Sequence, residues 1–155
     1  MNLKETIKAA GLLIAVLAAS RLIGLPANFT PLLGLAVFAP RLNLSPWTSV
    51  GILAVTDIVL GFYSLMPVVY ACMLGAYYIS QHKSNVYAAG LLSCMLWHIV
   101  VNSAVVLTGP GFAPFTPEAM LFDMRLIAGT LMTIALLDVT ERVFNLTKHT
   151  KSSII

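Results

Sequence analysis

The chain has 155 residues, of which 59% are hydrophobic and only 10% charged, and its mean hydropathy is +0.90. So few charges exclude an ordinary water-soluble domain, whose surface needs many more ionic groups; lipid is the solvent this composition fits. The formal net charge of +3 therefore reports membrane topology first, and no nucleic-acid partner is expected.

At about 20 residues per span, the length allows roughly six transmembrane helices in one integral membrane domain covering residues 1–155. The first apolar run, about 5–24, carries Gly11, Ala15 and Ala19 at four-residue intervals. That small-residue stripe lets another helix approach closely, within the bundle or in a partner. The same run contains "LLIAVLAAS", with the small residues of a signal-peptide cleavage site, but its removal would leave five spans and spoil the charge pattern described below. The second run, about 31–40, sits inside "NFTPLLGLAVFAP". With prolines at both ends and an apolar run short for a bilayer crossing, it predicts a short second helix among the six spans. Four further runs follow, at about 46–63, 65–81, 86–107 and 118–139. They are separated by "APRLNLSP", "YSLMP", "SQHKSN" and "TGPGFAPFTPE", each with the Pro, Gly, Asn or Ser that interrupts a helical pattern.

Charge orients this six-helix, all-α bundle. With a cytoplasmic N-terminus, Lys4, Lys8, Arg41, Lys83, Arg142, Lys148 and Lys151 fall on the cytoplasmic side, leaving Arg21 and Arg125 elsewhere. Both termini are then cytoplasmic, and the loops near 25–30, 63–65 and 108–117 face out.

Polar residues inside apolar spans are costly, which makes them functional candidates. Counting about 1.5 Å per residue from the outer helix ends, Asp57, Cys72, His98, Asn102, Asp123 and Arg125 share a level about 7–14 Å below the outer surface. His98 and Asn102, four apart, share a helix face, whereas Asp123 and Arg125, two apart, do not. Each has a plainer alternative. Asp57 reads equally as the ion-pair partner of Arg21 or Arg125, His98 and Asn102 as interhelical hydrogen-bonding residues, and Cys72 as a small inert core residue. The two cysteines, Cys72 and Cys94, lie in apolar runs and say nothing about redox compartment. No phosphate-binding Gly loop, paired-His zinc motif or Ser with a suitable base is present. Binding rather than catalysis is expected, with no intrinsic cofactor.

The run "NFTPLLGLAVFAP", the Asp-containing "TDIVLGFYSLMPVVYACMLGAYYI" and "SCMLWHIVVNSAVV" together resemble small bacterial membrane proteins related to the substrate-binding S components of energy-coupling-factor (ECF) vitamin transporters. The resemblance covers roughly residues 20–138, and the chain also looks similar to the solitary cobalamin S component. It implies a six-helix fold with substrate held near the outer face. It further implies a micronutrient substrate, cobalamin or a related corrinoid as leading candidate, with Cys72 as cobalt-facing thiol and Asp57 and Tyr77 as pocket neighbours. Thiolate suits a transition metal, and His98 is the alternative axial ligand. Asn28 and Phe29 would stand at the pocket mouth. The implied binding set is Asn28, Phe29, Asp57, Tyr70, Cys72, Tyr77, His98, Asn102 and Arg125. Gly11, Ala15 and Ala19 would meet a coupling subunit that works with separate ATPases. The expectation is a multi-pass protein of the bacterial inner membrane. The rival expectations are an accessory structural subunit of a larger membrane complex and a small haem- or metal-binding membrane protein.

Overall fold

The computed structural model describes residues 11, 15–16, 19–20, 23–26, 28–109 and 116–152, with side chains omitted at 56, 59, 60 and 143–152. Five α-helices are described along their whole length: α1 Leu32–Phe38, α2 Pro46–Leu60, α3 Met66–Gln81, α4 Val86–Thr108 and α5 Pro117–Ser152. A 3-10 turn, Ala39–Leu42, follows α1 directly.

The helix starts are written in local sequence. Pro46 is the first residue of α2, Pro67 the second of α3 and Pro117 the first of α5, all in the first turn, where proline's missing N–H costs nothing. The Ser45 hydroxyl accepts from Trp47 N–H at 3.2 Å to cap α2. The Asn85 side chain caps α4 by accepting from Tyr87 N–H at 2.9 Å and Ala88 N–H at 3.2 Å. At Asn43, φ of 52° turns the chain out of the 3-10 segment, a left-handed conformation Asn tolerates better than most residues.

Helix α1 forms the centre of the fold. Every residue from Leu32 to Phe38 is buried, and the helix packs on α3, α4 and α5. Its approach to α5 is a backbone approach: a Cβ added at Gly34 would lie 2.7 Å from Thr133 Cβ and 2.9 Å from the Thr130 carbonyl oxygen. Ser80 donates to the Val37 carbonyl at 2.6 Å and Tyr77 to the Leu44 carbonyl at 2.7 Å, tying α3 to α1 and to the segment after the turn.

The expected six-span bundle is corrected by these lengths. Helix α1 has 7 residues, α2 has 15 and α3 has 16, or about 10, 22 and 24 Å, short of the roughly 30 Å hydrocarbon layer. Among the described residues only Val86–Thr108 and Pro117–Arg142 are long and apolar enough to cross a membrane. Hydropathy counts apolar residues without distinguishing a lipid-facing helix from one enclosed by protein, and α1 is the enclosed kind. Most of the expected first span, and with it the signal-peptide alternative, falls outside the described residues, as do residues 1–10 and 153–155. Within that span, Gly11, Ala15 and Ala19 are helical and exposed. The short second helix stands where it was expected, and α5 runs on past 139 because no Pro or Gly follows Gly129 to end it.

Candidate functional site

The segment before α1 is built as a tight connection. Phe29 N–H donates to the Pro26 carbonyl at 2.9 Å, and Asn28 takes φ of 66°. The Asn28 side-chain amide donates to the Phe122 carbonyl of α5 at 3.0 Å. Thr30 lies so close to α5 that a Cβ at Gly129 would be 3.0 Å from its backbone N and O. Glycine there lets the segment lie flat on the helix.

A cavity of about 300 Å³ opens beside this segment, with Ser20, Asn28, Phe29, Thr30, Leu32 and Trp97 among its walls. It has neutral hydrogen-bonding groups and two aromatic rings, and among the described residues no charged side chain lines it. Trp97 is buried, so the wall it forms on α4 is fixed by packing.

One position on from Trp97, the polar residues of α4 and α5 meet. His98 Nδ1 lies 2.6 Å from Asp123 Oδ2, and the Asn102 amide lies 3.4 Å from the same oxygen and 2.9 Å from His98 Nδ1. These distances are mutually consistent when Nδ1–H and the Asn102 amide both donate to Oδ2, the Asn102–His98 approach being a close pass between donors. That assignment sets Nε2 as an acceptor in neutral His98. The other carboxylate oxygen, Oδ1 of Asp123, is buried with no hydrogen-bond partner among the described residues.

The remaining expected site residues divide from this group. Asp57 is 1% exposed and accepts from Tyr70 O–H at 3.0 Å. Arg21 falls outside the described residues, and Arg125, half-buried, makes no ion pair among them. Cys72 is 2% exposed in the apolar core beside Met73 and Ala76. Tyr77 is buried and engaged with the Leu44 carbonyl and with Gln81, whose amide donates to its hydroxyl at 3.3 Å. Among the described residues no group of three or more His, Cys, Asp or Glu is placed to hold a metal ion.

Of the level inferred from sequence, His98, Asn102 and Asp123 form a cluster, Asp57 pairs with Tyr70 from outside that level, and Cys72 and Arg125 join neither. Trp97, Thr30 and Leu32 were missed as wall residues. Trp97 precedes His98, Thr30 lies within the NFTP run and Leu32 follows it.

The sequence profile of DUF6580, described as a family of unknown function, matches residues 1–149. The chain belongs to the DUF6580 family. No curated protein and no solved structure matches this DUF6580 chain, so its chemistry rests on its own residues.

Proposed function

We propose that this chain is a multi-pass protein of the bacterial cytoplasmic membrane that captures a small micronutrient, in the manner of the S components its sequence resembles. Two observations support membrane insertion. Helix α4 and the Pro117–Arg142 part of α5 are each long and apolar enough to span, and each is only 33% buried. A soluble core helix would be mostly covered. Here Met95, Ile99, Met124, Met132 and Leu136 stay exposed and need lipid or another protein against them.

The observation that carries ligand capture is the cavity beside the NFTP segment. Its volume of about 300 Å³ sits at the lower end of small-molecule sites, roughly 300–1,000 Å³. Phe29 and Trp97 place aromatic rings in its walls, and Ser20, Asn28 and Thr30 neutral polar side chains. The substrate class this favours is a small, uncharged, cyclic compound with a few hydrogen-bonding groups. Cobalamin, the substrate implied by the resemblance, is far larger and serves as the contrasting test compound. The His98–Asn102–Asp123 cluster adjoins the wall in sequence through Trp97, and Asp123 follows Phe122, whose carbonyl holds the Asn28 amide. Inward release would depend on a separate ATPase-coupled subunit, and the exposed Gly11, Ala15 and Ala19 face suits close helix packing against one.

The test is a thermal-shift panel on detergent-purified protein with uncharged vitamins, charged vitamins and cobalamin. At least one uncharged compound should raise the melting midpoint in the wild type and not in Trp97→Ala. No shift from any uncharged compound, with cobalamin shifting both proteins, would overturn the cavity as the site.

A further inference from the structure

We propose that the opposite end of the α4–α5 pair carries a second site, for the phosphate headgroup of an anionic phospholipid. A cavity of about 310 Å³ opens there, lined by Arg41 after α1, by Ser84, Asn85 and Tyr87 at the start of α4, and by Asp138 and Arg142 on α5. It is separated from the NFTP cavity by the helix length between Tyr87 and Trp97, about 15 Å. Failure of this site would therefore leave the small-molecule reading standing.

Two guanidinium groups converge on one carboxylate. Arg41 Nη1 lies 3.4 Å from Asp138 Oδ1, and Arg142 Nη2 lies 2.7 Å from Asp138 Oδ2. Asp138 offsets one positive charge, so these three side chains leave a surplus of one, which matches a phosphodiester. Arg41 is held for the purpose by three contacts: Asp138, the Ser84 carbonyl at 3.4 Å, and the Phe38 ring, 5.9 Å from the guanidinium carbon to its centroid. Arg142 is 73% exposed and bonds the protein through a single nitrogen. Most of its five N–H donors have no protein partner among the described residues, and their planar fork fits phosphate oxygens.

What distinguishes a lipid from free phosphate is the surface leading away from the cavity. Tyr87, Leu91 and Met95 follow at four-residue intervals on α4 and are all exposed, at 38%, 45% and 60%. They form an apolar stripe running from the headgroup site along the membrane-facing helix, where an acyl chain would lie. A basic pocket between apolar helices, at the end where Arg41, Lys83 and Arg142 gather, is the setting in which anionic headgroups bind.

The full-length chain in neutral detergent would be titrated with phosphatidylglycerol and with phosphatidylcholine of the same acyl chains, counting bound lipid by native mass spectrometry, with inorganic phosphate as competitor. Phosphatidylglycerol should bind more tightly. Arg142→Gln should weaken it about fivefold while leaving phosphatidylcholine unchanged, and Arg142→Lys should keep the preference. Inorganic phosphate at matched concentration should not displace the lipid. Equal binding of the two lipids, no effect of Arg142→Gln, or full displacement by inorganic phosphate would each overturn the proposal.

Discussion

Asn28 holds the cavity segment by two separable effects, and two substitutions tell them apart. Its amide donates to the Phe122 carbonyl at 3.0 Å, a bond worth about 0.5–1.5 kcal/mol. Its backbone stands at φ 66°, where a residue with a plain Cβ is strained by about 1–2 kcal/mol and glycine is not. Asn28→Gly removes the hydrogen bond and frees the unfolded chain, but adds no backbone strain. Asn28→Ala removes the bond and adds the strain, offset by about 0.4–1 kcal/mol because alanine restricts the unfolded chain more than glycine does. Asn28→Ala should therefore be less stable than Asn28→Gly by up to about 1.6 kcal/mol, and both less stable than the wild type. Unfolding of the detergent-solubilised protein, followed by helical circular dichroism, would measure the difference. A more stable Asn28→Ala would refute the left-handed anchor.

Gly34→Ala should cost about 1–3 kcal/mol, because its Cβ would meet Thr133 Cβ at 2.7 Å and the Thr130 carbonyl oxygen at 2.9 Å. Gly51→Ala, with nothing within 4 Å on exposed α2, should instead stabilise by about 0.5–1 kcal/mol; the same unfolding assay would expose any similarity between the two. Tyr70→Phe should lose about 1.5–3 kcal/mol, since it removes the described donor to the buried Asp57 carboxylate, and an unchanged midpoint would show the pair to be idle. Cys72→Ala should leave ligand retention unaltered, because Cys72 lines neither cavity. Loss of binding, or loss of a cobalamin spectral shift, in that variant would restore the thiol-ligand reading.

Helix positions were legible in the sequence because the breaks are chemical: Pro46, Pro67 and Pro117 open helices, and Asn85 caps one. Span number was not legible, since hydropathy marked α1 as apolar and short but could not show that it is enclosed by protein along its whole length. The polar site was half legible. The i,i+4 spacing of His98 and Asn102 announced a shared face, and Asp123 closes it from α5. Depth counting also placed Cys72 and Asp57 at that level, but depth says nothing of azimuth, and both point into separate surroundings. The Arg41–Asp138 contact joins residues 97 apart, beyond any local pattern, whereas Asp138–Arg142 at i,i+4 was there to be read.

The most direct measurement is the identification, by mass spectrometry, of small molecules released on denaturing the protein purified from its native membrane, with wild type and Trp97→Ala side by side. A stoichiometric, uncharged cyclic compound from the wild type and none from Trp97→Ala is the expected result. No compound from the wild type, or the same compound in equal amount from both, would contradict ligand capture in the NFTP cavity.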